Sequence, residues 1–376
     1  MLILHPGAPS YMWTVPLAVH GGQSRPCPLC DSRGTVPLAY DCCVTRRELI
    51  AGLAALLASA TRGRGDTPPG VVQGVTGPIA ADRLGITLMH EHVLVDFIGA
   101  SEVNPGRYDP DQAFRIALPH LVKVRDLGCA SVVECTPAYI GRDVRLLQRL
   151  ADASGLHILT NTGYYGAAND KYLPRHAFTE SADQLASRWI REAGHGIDGT
   201  PIRPGFMKIG VDEAPLSEVD VKLVRAAAIA HRATGLTIAS HTTTGAAAMA
   251  EIELLDRAGV PAGAFIWVHA HNERDASFHT RAAKAGAWVE FDGVAEDSIG
   301  RHVELVRHMK TAGLLGRVLL SHDAGWYHVG EPGGGEFRPY TTLFTGLMPA
   351  LMDEGVTKDE IRQILVENPR RALTGG

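Results

Sequence analysis

His90 and His92 flank Glu91 within the run Thr87-Leu88-Met89-His90-Glu91-His92-Val93-Leu94-Val95-Asp96-Phe97. The lead-in, Gly85-Ile86-Thr87-Leu88, is apolar and β-prone, the pattern of a buried strand. Successive strand side chains alternate faces, so His90 and His92 point one way and Glu91 the other. Two neutral imidazoles at a strand end suit a borderline-soft divalent cation. The same triplet also fits two ordinary loop histidines, and with 17 histidines in 376 residues abundance carries no weight. Position has to decide.

Further candidates recur at the ends of apolar runs. Lys208 stands in Met207-Lys208-Ile209-Gly210 and His241 in Ala239-Ser240-His241-Thr242. His269 and His271 lie in Val268-His269-Ala270-His271, Asp292 closes Phe291-Asp292, and Asp323 ends Leu320-Ser321-His322-Asp323. From His92 to Lys208 is 116 residues, then 33 to His241, 28 to His269 and 54 to Asp323. A strand-plus-helix unit takes about 30 residues, so these steps count as three enlarged units, one, one and two.

The strands that must carry these groups are Gly85–His92, Ala130–Thr136, His157–Gly163, Gly205–Val211, Leu236–Thr242, Ala264–His269, Ala287–Asp292 and Arg317–Asp323. Helical patterns separate them, among them Asp143–Ser154, Glu218–Thr234, Ala246–Ala258 and Ser298–Ala312. Eight strands alternating with helices predict an α/β chain of the (β/α)8 TIM-barrel type, with a doubly wound sheet as the alternative. In a barrel the C-terminal strand ends converge on one mouth, and the candidates fall on the first, fourth, fifth, sixth and eighth.

Composition sets the outer limits. The chain is 45% hydrophobic and 20% charged, with a net charge of −5, typical of a globular protein with a large core. No basic block stands out, which argues against a nucleic-acid partner. Residues 1–44 hold Cys27-Pro28-Leu29-Cys30 and Cys42-Cys43 in a Pro/Gly-rich stretch, a zinc-type spacing without a fold pattern around it. Thr45-Arg46-Arg47-Glu48 then precedes an apolar run, Leu49 to Ala58, that ends in Ala58-Ser59-Ala60. Paired arginines, a short apolar segment and a small-x-small site resemble a twin-arginine export signal cut after Ala60. The run is too short for a permanent membrane span. We therefore expect a periplasmic or secreted protein whose single barrel occupies residues 61–376. A start at Val44 would make residues 1–43 an artefact of gene calling.

The chain resembles the phosphotriesterase family, the phosphotriesterases and phosphotriesterase-like lactonases among the amidohydrolase-type metal hydrolases, over about residues 71–373. The resemblance is carried by Val75-Thr76-Gly77-Pro78, Thr87-Leu88-Met89-His90-Glu91-His92, Gly141-Arg142-Asp143, Thr162-Gly163-Tyr164-Tyr165 and Lys208-Ile209-Gly210. It continues through His241-Thr242, the strand-six histidine, Phe291-Asp292, Ser321-His322-Asp323 and Asn368-Pro369-Arg370-Arg371. Carried over, it implies a (β/α)8 barrel with two divalent metal ions, zinc by expectation. His90, His92 and Asp323 would hold the more buried ion, and His241 and His269 the more exposed one. Lys208, carboxylated on its amine, would bridge them together with a hydroxide, and Asp323 would take the proton as that hydroxide attacks. The family's aspartate at the end of strand seven follows its strand-six ligand by 23 residues, which selects His269 over His271 given Asp292.

The remaining residues have smaller roles in this reading. His271 is expected at the pocket rim, Glu91 in packing or in a hydrogen bond behind the ligands, and His322 in structure. Asp292 is a candidate for substrate contact or proton relay, with a structural hydrogen bond equally open. The Gly-rich segment Gly325–Phe337 is expected to be a flexible lid, with Trp326 and Tyr327 facing substrate. Cys129 and Cys135 on one strand would be roughly 20 Å apart, beyond disulfide reach, and are expected to be buried thiols. The expected function is hydrolysis of a small-molecule ester, lactone or organophosphate, lactone or ester being the native role, in a protein for which a homodimer is one allowed assembly. The alternative is a metal-binding or ligand-sensing barrel without turnover, which would predict a missing ligand.

Overall fold

The computed structural model describes residues 70–375. The export signal, its cleavage site and the cysteines before Thr45 lie outside them. The barrel strands are β3 (Ile86–Val95), β4 (Cys129–Glu134), β5 (His157–Leu159), β6 (Asn161–Thr162), β7 (Phe206–Gly210), β8 (Ile238–His241), β9 (Phe265–Val268), β10 (Trp288–Phe291) and β11 (Val318–Leu320), after a short antiparallel hairpin β1 (Val71–Gly74) and β2 (Gly77–Ala80). Every barrel pairing is parallel. The third expected strand is interrupted at Thr160, so that β5 pairs with β4 and β6 pairs with β7.

The seam between the last and first barrel strands closes through residues that follow β11. Asp323 N–H donates to the His90 carbonyl at 3.0 Å, and His90 N–H donates to Ser321 Oγ at 2.9 Å. An open doubly wound sheet would leave these two strands as free edges; the ring is a (β/α)8 barrel. Glu91 reinforces the seam. Pointing away from the mouth as expected, it accepts from Ser321 Oγ (2.8 Å), His322 N (3.1 Å), His322 Nδ1 (2.6 Å) and Ala324 N (3.0 Å). One buried carboxylate thus fixes the segment that carries Asp323.

Burial explains the alternation. All ten positions of β3 are buried, as a strand covered on both faces requires. Met89, Val133, Leu159, Phe206, Ala239, Ile266, Trp288 and Leu319 fill the barrel interior, and Val72 and Ile79 of the hairpin plug its floor together with Ala372 and Leu373. Leu, Val and Ala residues on the other faces pack against the surrounding helices. The Glu218–Thr234 helix starts at a Ser217/Asp220 capping box and stops at Gly235 in the left-handed region, as its sequence predicts.

One expectation is corrected here. The segment after Asp323 does not begin as a flexible lid: Gly325–His328 forms a further strand, β12, parallel to β3. The chain is helical from Thr342 to Asp353, with a π-helical stretch at Leu343–Leu347 leading into Met348–Asp353. Among the described residues no helix is long and apolar enough to cross a membrane.

Candidate metal centre

The six ligands expected from the sequence line one cavity of about 180 Å³: His90, His92, Lys208, His241, His269 and Asp323. His90 and His92 come from the inward face of β3, Lys208 from β7 and His241 from the end of β8. His269 follows β9 with φ 65°, and Asp323 follows β11 with φ 53°. In the left-handed region both side chains leave the strand direction, a conformation that His and Asp adopt more readily than most residues. Gly163, with φ 116°, packs directly on the Lys208 carbonyl, where any Cβ would collide with the backbone.

The donor atoms are spaced for a cation. His90 Nε2 lies 3.1 Å from His92 Nε2 and 3.7 Å from Asp323 Oδ1, while His92 Nε2 lies 3.2 Å from Asp323 Oδ1. Ligand atoms about 2.1 Å from a tetrahedral ion stand about 3.4 Å from one another, so these three edges bracket the value. His90, His269 and Asp323 also present ligand atoms within 4.8 Å of one another, and the His241 ring centre is 4.3 Å from that of His269.

The hydrogen bonds behind the rings set their tautomers. Asp292 Oδ2 accepts from His90 Nδ1 at 3.0 Å, and its Oδ1 accepts from His269 Nδ1 at 2.6 Å. A carboxylate only accepts, so each Nδ1 carries the proton and each Nε2 turns a lone pair to the cavity. Thr136 Oγ1 has its one proton turned to Glu134 Oε1 (2.5 Å) and the Leu94 carbonyl (3.0 Å), so it accepts from His92 Nδ1 at 2.7 Å and gives His92 the same tautomer. Burial, with the charge of Lys208, lowers the His90 pKa to about 3. Burial, with His269 and Lys208, also holds His241 well below the usual imidazole value. Burial opposes ionisation of Asp323, yet the His92 hydrogen bond and the surrounding imidazoles hold its carboxyl well below the ordinary range. Neutral imidazoles around an ionised carboxylate are the protonation states that metal binding needs.

Lys208 is the exception that completes the set. It is 1% exposed, and its Nζ is buried without a hydrogen-bond partner. An ammonium left so would cost several kcal/mol. A carbamate on the same atom carries negative charge and two oxygens, which the cavity can use. The residues present fit a pair of divalent ions.

Two expected site residues are placed elsewhere. Asp292 is 0% exposed and does not reach the cavity; it also accepts from His269 N–H at 3.0 Å and therefore acts through the ligands rather than on substrate. Tyr327 is buried on the opposite side of β12, its hydroxyl donating to Gln112 Oε1 at 2.5 Å and its ring beside Tyr108. Alternation along β12 decides the matter: Trp326 lines the cavity, so Tyr327 cannot. His271 is not at the cavity either. Its Nδ1 lies 3.1 Å from Asp292 Oδ1 without hydrogen-bond geometry, and its ring packs on His302 at 5.6 Å. The strand does not run on to His271: His269 is left-handed and a turn follows at Ala270–Asn272. Cys129 and Cys135 are buried free thiols.

Some functional neighbours went unread in the sequence. Tyr165 lines the cavity and its hydroxyl lies 3.1 Å from His241 Nδ1; Phe97, Ile140 and Tyr172 complete the walls. Tyr165 follows the third strand and was open to the strand-end argument. Phe97 and Tyr172 depend on loop paths that no periodicity encodes.

The sequence profile described as the phosphotriesterase family matches residues 70–373. The chain belongs to the phosphotriesterase family. That family is one of binuclear metal hydrolases, and the hydrolases among the relatives support a hydrolase here. A phosphotriesterase homology protein of Mycobacterium tuberculosis is 30% identical over 312 residues, covering 78% of this chain and 95% of the relative. An N-acetyltaurine hydrolase of Rattus norvegicus is 27% identical, covering 81% and 98%. An aryldialkylphosphatase of Saccharolobus solfataricus is 26% identical, covering 78% and 96%.

Proposed function

We propose that this phosphotriesterase-family barrel is a zinc-dependent hydrolase of carboxylic esters or lactones, with phosphotriesters as secondary substrates. The observation that carries the reading is the convergence of all six ligand positions on one cavity, with Lys208 Nζ buried and unpartnered among them. A non-catalytic barrel would have no need to retain the complete set.

His90, His92 and Asp323 would hold one ion, His241 and His269 the other, and carboxylated Lys208 would bridge them. Bound divalent ions lower the pKa of water and polarise a carbonyl or phosphoryl oxygen. The protein does the rest. Asp292 and Thr136 hold three imidazoles with Nε2 facing the cavity. Asp323, ionised and 23% exposed in its side chain, would take the proton from the attacking water. Tyr165 offers its hydroxyl beside His241, where an oxygen of the substrate would arrive. Phe97, Tyr172, Ile140 and Trp326 supply apolar walls that favour a compact acyl group and keep bulk water away. The names of an aryldialkylphosphatase and an N-acetyltaurine hydrolase among the relatives set the range of bonds to be tried. The paired arginines and small-x-small site before residue 61 support export to the periplasm.

The test is a hydrolysis screen of the metal-loaded protein against lactones, aryl esters and a phosphotriester. Turnover of lactones or esters above the triester is expected. Silence on all three would favour a binding protein.

A further inference from the structure

The metal pocket has an aromatic rim, and the charges on that rim are unmatched. Trp326, Phe97 and Tyr172 line the cavity in sequence around its mouth, with ring centres 5.4 Å apart for the first pair and 6.0 Å for the second. The Arg338 guanidinium lies 3.8 Å from the Trp326 ring centre, and Lys171 Nζ lies 5.4 Å from that of Tyr172. Both cations belong to exposed residues, and among the described residues neither makes an ion pair. Cations are the minority in this chain, whose net charge is −5.

Three carboxylates in the surrounding loops are engaged elsewhere. Asp96 binds Arg107 at 2.6 Å, Asp212 caps the amides of Ala168 and Asn169 at 2.9 and 3.0 Å, and Glu331 stands 3.0 Å from His328 Nδ1. The backbone holds Arg338 in place, since Gly325 and Arg338 exchange both main-chain hydrogen bonds, at 3.0 and 2.8 Å. The Trp326 ring centre is 5.8 Å from that of His92, so the guanidinium stands one aromatic ring away from a metal ligand.

We propose that this rim is an anion subsite, which selects substrates carrying a carboxylate at the end remote from the scissile bond. Arg338 at the Trp326 end and Lys171 at the Tyr172 end supply the charge, and the aromatic faces the path for the intervening methylenes. The inference rests on the hydrolase reading above and specifies its substrate class.

The experiment uses the metal-loaded enzyme and a matched pair of esters, para-nitrophenyl hexanoate and the para-nitrophenyl half-ester of adipic acid. Binding of adipate and of hexanoate is measured separately by calorimetry. The wild type should prefer the half-ester in KM and bind adipate over hexanoate. Arg338→Met and Lys171→Met should each reduce the preference about two- to fivefold, as should added salt, because exposed ion pairs are screened. Equal KM for the two esters, or a preference that survives both substitutions, would overturn the subsite. Failure to hydrolyse either ester would count against the hydrolase reading alone, and the calorimetric contrast between adipate and hexanoate would still decide the subsite.

Discussion

Asp292→Asn perturbs the centre most sharply while leaving every proposed ligand in place. Three N–H donors converge on the carboxylate: His90 Nδ1 and His269 N on Oδ2, both at 3.0 Å, and His269 Nδ1 on Oδ1 at 2.6 Å. An amide has one oxygen. With that oxygen at the Oδ2 position, its NH2 faces His269 Nδ1, which must then accept; the ring proton moves to Nε2 and blocks the lone pair that would bind metal. The opposite orientation does the same to His90. One ion is weakened in either case and the other is largely spared. Groups that orient metal-bound histidines are worth about ten- to hundredfold in metal affinity, or about 1.4–2.7 kcal/mol. Chelator-competition titration that resolves the two sites measures this directly. If both affinities stay within about twofold of wild type, the tautomer argument is wrong.

Other consequences follow from the same network. Glu91→Ala removes the acceptor of four hydrogen bonds, from Ser321, His322 and Ala324. At about 1–3 kcal/mol for each buried donor left unpaired, thermal unfolding should show a loss of several kcal/mol. Glu251, buried on the helix outside β8, accepts from Ser240 and Thr242 on either side of His241, and burial raises its pKa to about 8. A carboxyl whose pKa is raised in the fold binds a proton that the unfolded chain has released, so its contribution is full below the ordinary glutamate value of 4.5 and declines as pH rises towards 8. Glu251→Gln should therefore flatten the stability–pH curve across that window by up to about 1.4 kcal/mol per pH unit; an unchanged curve would contradict the assignment. Replacing Arg46 and Arg47 by lysine should leave the precursor uncut in the cytoplasm, as fractionation and N-terminal sequencing would show, and continued export would mean that the signal has been misread.

Much of the centre was legible because its physics is local. Strand alternation placed His90 and His92 together and sent Glu91 to the opposite face, and apolar runs ending in Lys208, His241 and Asp323 marked the barrel mouth. The same alternation, applied to Trp326 and Tyr327, would have separated them had the segment been read as a strand; its glycines suggested a loop. Asp292 was visible as a strand-end acid, but its partners come from β3 and from the end of β9, 202 and 23 residues away in sequence, and no local pattern reports them. His269 escaped the extended geometry because a left-handed residue there is set by its tertiary bonds to Asp292. The hairpin that plugs the floor went unnoticed, since four-residue strands carry too little periodicity to register.

The central claim is a pair of metal ions bridged by carboxylated Lys208, and elemental analysis of the purified mature protein tests it most directly. Measured beside Lys208→Ala after growth with ample metal, the wild type should carry close to two divalent ions per chain, chiefly zinc, and the variant should lose metal and recover part of it with added short carboxylic acids. One ion or none in the wild type, or two tightly held ions in Lys208→Ala, would contradict the account.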